Sequence, residues 1–449
     1  MGRLAALAVP LSLILIPVVL LAPNLRWPYH DAAIFGTIGE GFLRGDLPYR
    51  DLWDHKPPGI YLIAGLAALL PGDTWLAFWG LSVAVIAATG ATLRPIVGSA
   101  ASVIATACIA LYPSALGGGQ TETFACLPAA GALLAVSHGR LTWAGALAGV
   151  ALLFSLQLLP LTVTLLFFVR PLPYVAGGFA VAALATGTIG VLGILPAAWD
   201  ALITYNTIYL GSASSGDPAW HSVLVLTPIG VAALGRGTWK ANRSEGIAAI
   251  WLLAGLLTIA VQGRELGHYM TPLVIPVAIL AARSGSRVMM TGGLVALVVV
   301  IMTATIASGY PQRGPATERL ATWVTERTGP EERILVWGVD ANVYIAANRG
   351  VASRYLYLMP LVTPGYSTPR QIAAWIQELD ANPPAVIVDS EAANPHWPEY
   401  GDFLRPPPPG AAGGRDLDLL SPFRSFVMDR YELGAEIDGR KMYQLRRDS

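Results

Sequence analysis

Charge is what this chain has least of. Asp, Glu, Lys and Arg make up 13% of its 449 residues, about half the share found in soluble proteins. The 29 basic and 29 acidic residues cancel to a formal net charge of zero, so there is no electrostatic footprint for nucleic acid and no case for an acidic partner. Cysteine is equally scarce. Cys108 and Cys126 both lie in apolar stretches and supply neither a disulfide framework nor a zinc-ligand spacing. Phosphate-loop, GxGxxG and Ser/His/Asp patterns are missing too. The run Gly117-Gly118-Gly119 lacks the strand–loop–helix setting and the Lys-Ser/Thr of a nucleotide site, which disfavours a nucleotide-sugar donor on the cytoplasmic side.

What the chain has in abundance is oil. Hydrophobic residues make up 54% and mean hydropathy is +0.53, the profile of a polytopic α-helical membrane protein. Runs long enough to span, roughly 17–25 residues with allowance for tilt, fall at about 4–22, 75–93, 97–113, 122–137, 142–156, 157–170, 174–195, 222–235, 246–262, 269–282 and 287–307. Residues 142–170 read as two short helices or one bent helix. The first run resembles a signal peptide, but Ala22-Pro23-Asn24 is a poor cleavage site, so an uncleaved helix is expected. Ile60–Leu70 is too short to cross a core about 30 Å thick. If it is re-entrant or lies in the interface, Arg3, Arg94, His138, Arg140, Arg170, the 236–243 basic cluster, Arg283 and Arg287 all fall on the cytoplasmic side, as the positive-inside rule requires. About eleven spans follow, with the N-terminus inside and the C-terminus outside.

This topology divides the chain into a transmembrane domain, 1–309, with an outer loop at 23–58, and an extracytoplasmic α/β domain, 310–449. In the latter, Thr317–Arg327 and Pro369–Leu379 read as amphipathic helices, and Ile334–Trp337 and Val386–Val388 as buried strands. Phe426–Asp429 and Lys441–Leu445 read as a terminal hairpin, and Pro406–Gly414 as a loop.

Most of the scarce charge near the N-terminus is packed into Tyr29–Tyr61, YHDAAIFGTIGEGFLRGDLPYRDLWDHKPPGIY. Ionisable groups beside a bilayer are costly unless they handle something polar. Ile34, Phe35, Ile38, Phe42 and Leu43 form one stripe, the pattern of a helix lying along the membrane. Asp31 precedes this helix, as its N-cap, as a site carboxylate, or as both. Lys56 stands before Pro57-Pro58-Gly59, where the prolines stiffen the backbone and start the next helix. A snorkelling lysine is the plain alternative.

These residues carry a resemblance. An Asp shortly after the first span, a following helix and then Tyr49–Gly59, YRDLWDHKPPG, resemble the bacterial dolichyl-phosphate-mannose-protein mannosyltransferase-like enzymes. That family belongs to the GT-C superfamily, with the aminoarabinose and protein O-mannosyl transferases. Gln120-Thr121-Glu122, Gly267–Leu273 and Val336–Tyr357 add to the likeness. Members often have a lysine near the position of Gln157, where this chain reads Ser155-Leu156-Gln157. The resemblance implies transfer of a hexose or pentose from a polyprenyl-phosphate donor to a hydroxyl of a glycan, lipid or protein acceptor, at the outer face of a plasma membrane. Asp31 takes the place of the catalytic acid and Lys56 that of the lysine on the donor phosphate. Chemically, an acceptor hydroxyl needs a carboxylate base and a departing phosphate needs a cation.

Other candidates have plainer alternatives. Glu122 is a second catalytic acid or a first-turn charge favoured by the helix dipole. With Asp31 it is the candidate ligand pair if a divalent cation, Mg²⁺ or Mn²⁺, is used. His55 binds the donor phosphate or pairs with Asp54. Asp51 and Asp54 are site acids or loop charges. Arg264, Glu265 and His268 form the last outer-facing charged cluster, in which His268 and Tyr269 line the donor-phosphate site. Trp199, Tyr205 and Tyr209 read as interfacial anchors. The rival class is a transporter or flippase for a lipid-linked saccharide. Transporters put polar residues on broken helices near the midplane, whereas here they gather at one face. An outer-face glycan ligase or polymerase is a third possibility, without the Asp31/Lys56 arrangement.

Overall fold

The structure, a computed structural model, describes residues 2–25, 30–116, 118–211, 220–235, 243–262, 267–283, 314–390 and 417–446. It forms two compact units, each assembled from three separate stretches of chain. The first comprises Met1–Arg26, Lys56–Gly193 and Ala213–Tyr310, and the second Trp27–His55, Ile194–Ser212 and Pro311–Ser449.

The first unit is a helical bundle. Three of its helices, Thr74–Val97, Pro171–Val191 and Arg243–Gln262, are long and apolar enough to cross a membrane. Shorter apolar helices cover most of the other expected runs. The span at 287–307 lies outside the described residues. Residues 142–170 resolve into two helices, Leu141–Leu152 and Leu159–Leu166, separated by the 3₁₀ turn Leu156–Leu158. Gly59–Leu69 is a helix of 11 residues, about 16 Å long at 1.5 Å per residue, half the thickness of a hydrocarbon core.

Small residues set the closest approach in this bundle. A Cβ on Gly145 would sit 1.8 Å from the Tyr174 carbonyl oxygen, and one on Gly177 would sit 1.9 Å from that of Thr142. The helices Leu141–Leu152 and Pro171–Val191 therefore touch backbone to backbone, as helices do in lipid, where dispersion contacts rather than water exclusion hold them together. On the latter helix Leu172, Phe179, Leu184 and Val191 are exposed, an apolar surface suited to acyl chains.

The C-terminal part of the second unit is α/β. Five strands, β1 (Arg333–Trp337), β2 (Gly350–Val351), β3 (Val386–Asp389), β4 (Tyr431–Ile437) and β5 (Arg440–Leu445), lie in the order β2-β1-β3-β5-β4. β1 pairs in parallel with β2 and β3, and β5 pairs antiparallel with β3 and β4. The expected amphipathic helices are present as Gly314–Thr325 and Pro369–Ala381. Trp337, Trp375 and Phe423 form the aromatic centre, with ring centroids 4.6–6.2 Å apart. The terminal hairpin differs from the sequence reading. Phe426–Asp429 belongs to the helix Ser421–Arg430, and the partner of β5 is the following segment, Tyr431–Ile437. The turn is Asp438-Gly439, both at positive φ (52° and 75°). This is a two-residue hairpin turn, which requires the strands to abut it directly.

Backbone contact between the two helices generates a test. Gly177→Ala should cost on the order of 3 kcal/mol, because neither carbonyl nor helix can yield without separating. Gly187→Ala on the same helix has open space around it and should be neutral or slightly stabilising. Thermal unfolding of the solubilised protein compares the two, and equal effects would contradict the close-approach account.

Candidate functional site

In the first unit, Lys56 is held through its own backbone. The Tyr61 hydroxyl accepts a hydrogen bond from the Lys56 N–H (3.2 Å) and donates one to the Lys56 carbonyl (3.1 Å). Tyr61 itself is fully buried. Two residues after the first proline, the Gly59 N–H donates to the Leu153 carbonyl at 2.7 Å. A Cβ at Gly59 would meet that oxygen at 2.6 Å, so only glycine lets the chain turn into its helix here. Lys56-Pro57-Pro58-Gly59 is thereby a short rigid bracket carrying one ammonium.

Leu153 also leads to the second acid. Ser155, two residues on, donates from its hydroxyl to Glu122 Oε1 at 3.0 Å, and the Thr121 hydroxyl donates to Oε2 at 2.8 Å. Glu122 is 2% exposed, in the first turn of the helix Thr121–Ser137. Among the described residues no cation pairs with it. A buried carboxyl group served by hydroxyls and a helix N-terminus is costly to desolvate, so stability alone gives no reason for it. The preceding glycines are structural: Gly118 and Gly119 take φ of 85° and 70°, and a Cβ on Gly119 would overlap the Phe78 ring at 2.1 Å.

The same helix packs on the helical turns Gly267–Met270 and Thr271–Leu273, which carry His268 and Tyr269. His268 Nδ1 lies 3.1 Å from the Tyr112 hydroxyl, and its ring meets Tyr269 edge-on at 4.4 Å. Gln157 donates from Nε2 to Gln262 Oε1 at 2.9 Å, so the segment Ser155-Leu156-Gln157 carries an amide pair. Arg264 and Glu265 lie outside the described residues.

In the second unit, Asp31 lies within the first turn of the helix His30–Leu43 and does not precede it as a cap. Nor is this helix a surface one. Residues 32–39 are buried throughout, and the helix packs on Asn342–Ala347. Outside the apolar stripe the helix is mostly alanine and glycine, with Thr37 and Glu40, and the small residues admit close neighbours: a Cβ on Gly36 would touch Ile345 at 2.9 Å.

Asp51 sits in the loop after Leu47. It accepts from the Leu47 N–H (2.9 Å) and from two nitrogens of Arg50 (2.9 and 2.7 Å). Its pKa lies below the usual carboxylate value, chiefly because of the Arg50 hydrogen bond. Asp54 is different, being 2% exposed. The Tyr357 hydroxyl donates to its Oδ1 at 2.7 Å, and His55 Nδ1 lies 3.0 Å from that hydroxyl and 3.3 Å from the carboxylate. His55 thus pairs with Asp54. Asn206 Nδ2 donates to the His55 carbonyl at 3.0 Å. The Tyr49 hydroxyl is held far above its usual pKa by burial and, secondarily, by the Asp54 charge.

Around this triad stands an aromatic cluster. Trp53 meets Tyr205 edge-on at 4.8 Å and Tyr366 at 6.0 Å, and Tyr205 meets Tyr366 edge-on at 4.9 Å. Tyr366 donates to Asp200, which opens a π-helical turn, Asp200–Tyr205. Burial, followed by that hydrogen bond, raises the Tyr366 pKa. Tyr205 is therefore a core residue and not an interfacial anchor, whereas Trp199, 62% exposed, retains that role's exposure. Asp200, Tyr357 and Tyr366 were missed in the sequence. For Asp200 a signal existed, a lone acid in a long apolar stretch. Ser155 and Tyr61 carried none.

The described site residues thus fall into two groups. Lys56, Glu122, His268 and Tyr269 belong to the first unit; Asp31, Asp51, Asp54 and His55 belong to the second. Among the described residues there is no group of three or more His, Cys, Asp or Glu side chains that could hold a metal ion.

The fold has solved counterparts. The chain is similar to ArnT from Cupriavidus metallidurans in its crystal structure bound to undecaprenyl phosphate. The match covers 99% of this chain and 98% of that one, with a TM-score of 0.59 and 14% identity. The apo form of the same protein matches over 98% of each chain, with a TM-score of 0.57 and 13% identity. No family model matches the chain, and no curated protein matches it by sequence. At this identity the likeness shows the fold alone.

Tyr357→Phe tests the Asp54 arrangement. It leaves the carboxylate buried without its hydroxyl donor, and the expected loss of stability is about 1–3 kcal/mol. In a double-mutant cycle with Asp54→Asn, a coupling on the order of 1 kcal/mol should appear in unfolding measurements. Strict additivity would mean that the two side chains do not support each other.

Proposed function

We propose that this protein is a glycosyltransferase that moves a hexose or pentose from a polyprenyl-phosphate carrier to an acceptor hydroxyl at the outer face of the membrane. The acceptor belongs to a glycan, a lipid or a protein. The observation that carries the reading is the end-to-end likeness of fold to ArnT, a protein crystallised with undecaprenyl phosphate, in a chain whose first loop presents Asp31 and Lys56.

In this reading the acceptor oxygen attacks the anomeric carbon, and Asp31 takes the hydroxyl proton. The bond from that carbon to the phosphate oxygen breaks, and the electron pair leaves with the polyprenyl phosphate. A phosphate leaves without needing a proton, so a single base suffices and the anomeric centre inverts. The Lys56 ammonium meets the charge that develops on the departing oxygen. The rigid Lys56–Gly59 bracket supports this role, because with the backbone already in place only the side chain remains to be ordered for transfer. Glu122 is the second acid. His268 and Tyr269 line the donor side, and His55 contributes there through Nε2, since Nδ1 serves Asp54 and Tyr357. If Mg²⁺ or Mn²⁺ takes part, Asp31 and Glu122 offer the oxygen ligands it prefers, and transfer would stop in EDTA.

Transfer from a polyprenyl-phosphate sugar, measured against donor concentration, tests the roles. Lys56→Met keeps the apolar stem and deletes the charge. It should lower kcat/KM by the equivalent of about 2–4 kcal/mol, with Lys56→Arg recovering part of the loss. Asp31→Asn should lower turnover about 10²-fold or more in a folded protein. Unchanged kinetics in Lys56→Met would remove the lysine from the site and favour the transporter reading.

The topology, with N-terminus inside and C-terminus outside, has its own test. Cys108 and Cys126 are buried and give little background to an impermeant thiol reagent. Glu432→Cys should be labelled from outside intact cells and Arg140→Cys should not. The reverse pattern would invert the whole arrangement.

A further inference from the structure

A cavity of about 690 Å³ opens in the second unit, within the roughly 300–1,000 Å³ usual for small-molecule sites. Its walls come from the end of the helix His30–Leu43, the loop from Asp46 to Leu52, the start of β1, the whole of β2 and the end of the helix Pro369–Ala381. None of the acids and bases assigned to transfer lines it.

Five arginines and five carboxylates face this space, together with two asparagines and one serine. Much of the charge is spent internally. Arg50 is bound to Asp51 at 2.7 Å and Arg44 lies 3.5 Å from Asp46. Arg349 donates to the Thr328 hydroxyl and to backbone carbonyls at 2.6–3.1 Å. Arg354 donates to the Arg50 carbonyl at 2.7 Å. An anion would find the cations matched one for one by carboxylates. A peptide adding to the sheet edge would find only two residues of β2, too few for a ladder. What the walls offer is a dense, balanced set of fixed donors and acceptors, which suits a ligand that both donates and accepts at every position.

We propose that this cleft binds an uncharged saccharide, read as a segment of the acceptor glycan away from the reacting hydroxyl. The connection to an acceptor rests on the transferase reading; the binding itself does not. With no aromatic side chain in its lining, the cleft lacks a stacking platform. Affinity is accordingly weak, in the range that lets a glycosylated product depart. Glu378 fits the role of an acceptor in the wall. It takes the Arg354 N–H at 2.8 Å, and burial raises its pKa above the usual value.

The test uses the full chain in nanodiscs free of glycoside detergent, with no donor present. Saturation-transfer NMR reads binding of neutral gluco-, manno- and galacto-oligosaccharides. Gly350 supplies the blocking variant: its φ is ordinary, and a Cβ there would meet only Arg333, at 3.5–4.0 Å. Gly350→Phe should therefore fill the cleft without backbone strain. Asn382→Ala, at an exposed position, provides a milder variant. The expected result is saturable binding of at least one neutral series, reduced more than fivefold by Gly350→Phe and two- to threefold by Asn382→Ala, with unchanged thermal unfolding. No binding at 10 mM sugar would overturn the proposal. So would equal binding to wild type and Gly350→Phe, or binding only of inositol hexaphosphate or of an extended peptide at these residues. Because no donor is present, a failure here leaves the transfer assay untouched, and a failed transfer assay leaves this measurement standing.

Discussion

The chemistry assigned to Lys56 depends on about ten residues of backbone being held still at the place where the chain passes from one compact unit to the other. On the side of the second unit, the Trp53 N–H donates to the Arg354 carbonyl at 2.7 Å, Asp54 takes the Tyr357 hydroxyl, and the His55 carbonyl takes Asn206. On the side of the first, Tyr61 closes on both polar atoms of the Lys56 backbone and Gly59 is tied to Leu153. Every bond joins residues of a single unit, so each unit fixes its own end of the segment. Two prolines stiffen the piece between. A lysine on a free loop would lose side-chain and backbone freedom on meeting a phosphate; here the backbone share of that loss has already been met in folding.

In both units hydroxyls serve carboxyl groups that are buried or half-buried. Glu122 is served by Thr121 and Ser155, Asp54 by Tyr357, and Asp200 by Tyr366. A hydroxyl satisfies a carboxyl oxygen without bringing a second charge into a low-dielectric interior, and so avoids desolvating an ion pair. It also leaves the acid's charge uncancelled, which a group meant to take up a proton or to face a cationic partner requires. One buried ion pair departs from this pattern, Asp340 with Arg440 at 3.0 Å, whereas the pairs Asp51 with Arg50 and Asp438 with Arg319 are more exposed.

The apolar runs were legible because a span announces itself by length and composition, whereas the break inside 142–170 was legible only as one of two alternatives, two short helices or one bent helix. The strands around Trp337 and Val388 were legible for a related reason, since parallel strands buried on both faces read as continuous apolar runs. The hairpin strand Tyr431–Ile437 was not, because an exposed edge strand with Glu432, Gly434 and Glu436 carries no hydrophobic signature; only Asp438-Gly439 marked it. The helix His30–Leu43 was found, but its single apolar stripe was read as that of a helix lying along the membrane, and the packing of its small residues was not seen. Alanine and glycine in a helix mark either weak hydrophobicity or close packing, and periodicity cannot separate the two. Of the candidate site residues, Lys56 and Glu122 stood out as charges beside apolar runs. Tyr357, Ser155 and Tyr61 were not, since a hydroxyl's role depends on partners up to 303 residues away.

That separation has a consequence for how the protein is made. At about 5–20 residues per second, a ribosome needs roughly 15–60 s to travel from Asp54 to Tyr357. Over that interval the loop that leads into the lysine bracket has been synthesised and lacks the Arg354 carbonyl and the Tyr357 hydroxyl that fix it. The discontinuous second unit is therefore completed late. The lysine bracket can be tied down by Tyr61 and Leu153 soon after it is made, whereas the loop before it waits for its late-made partners to return.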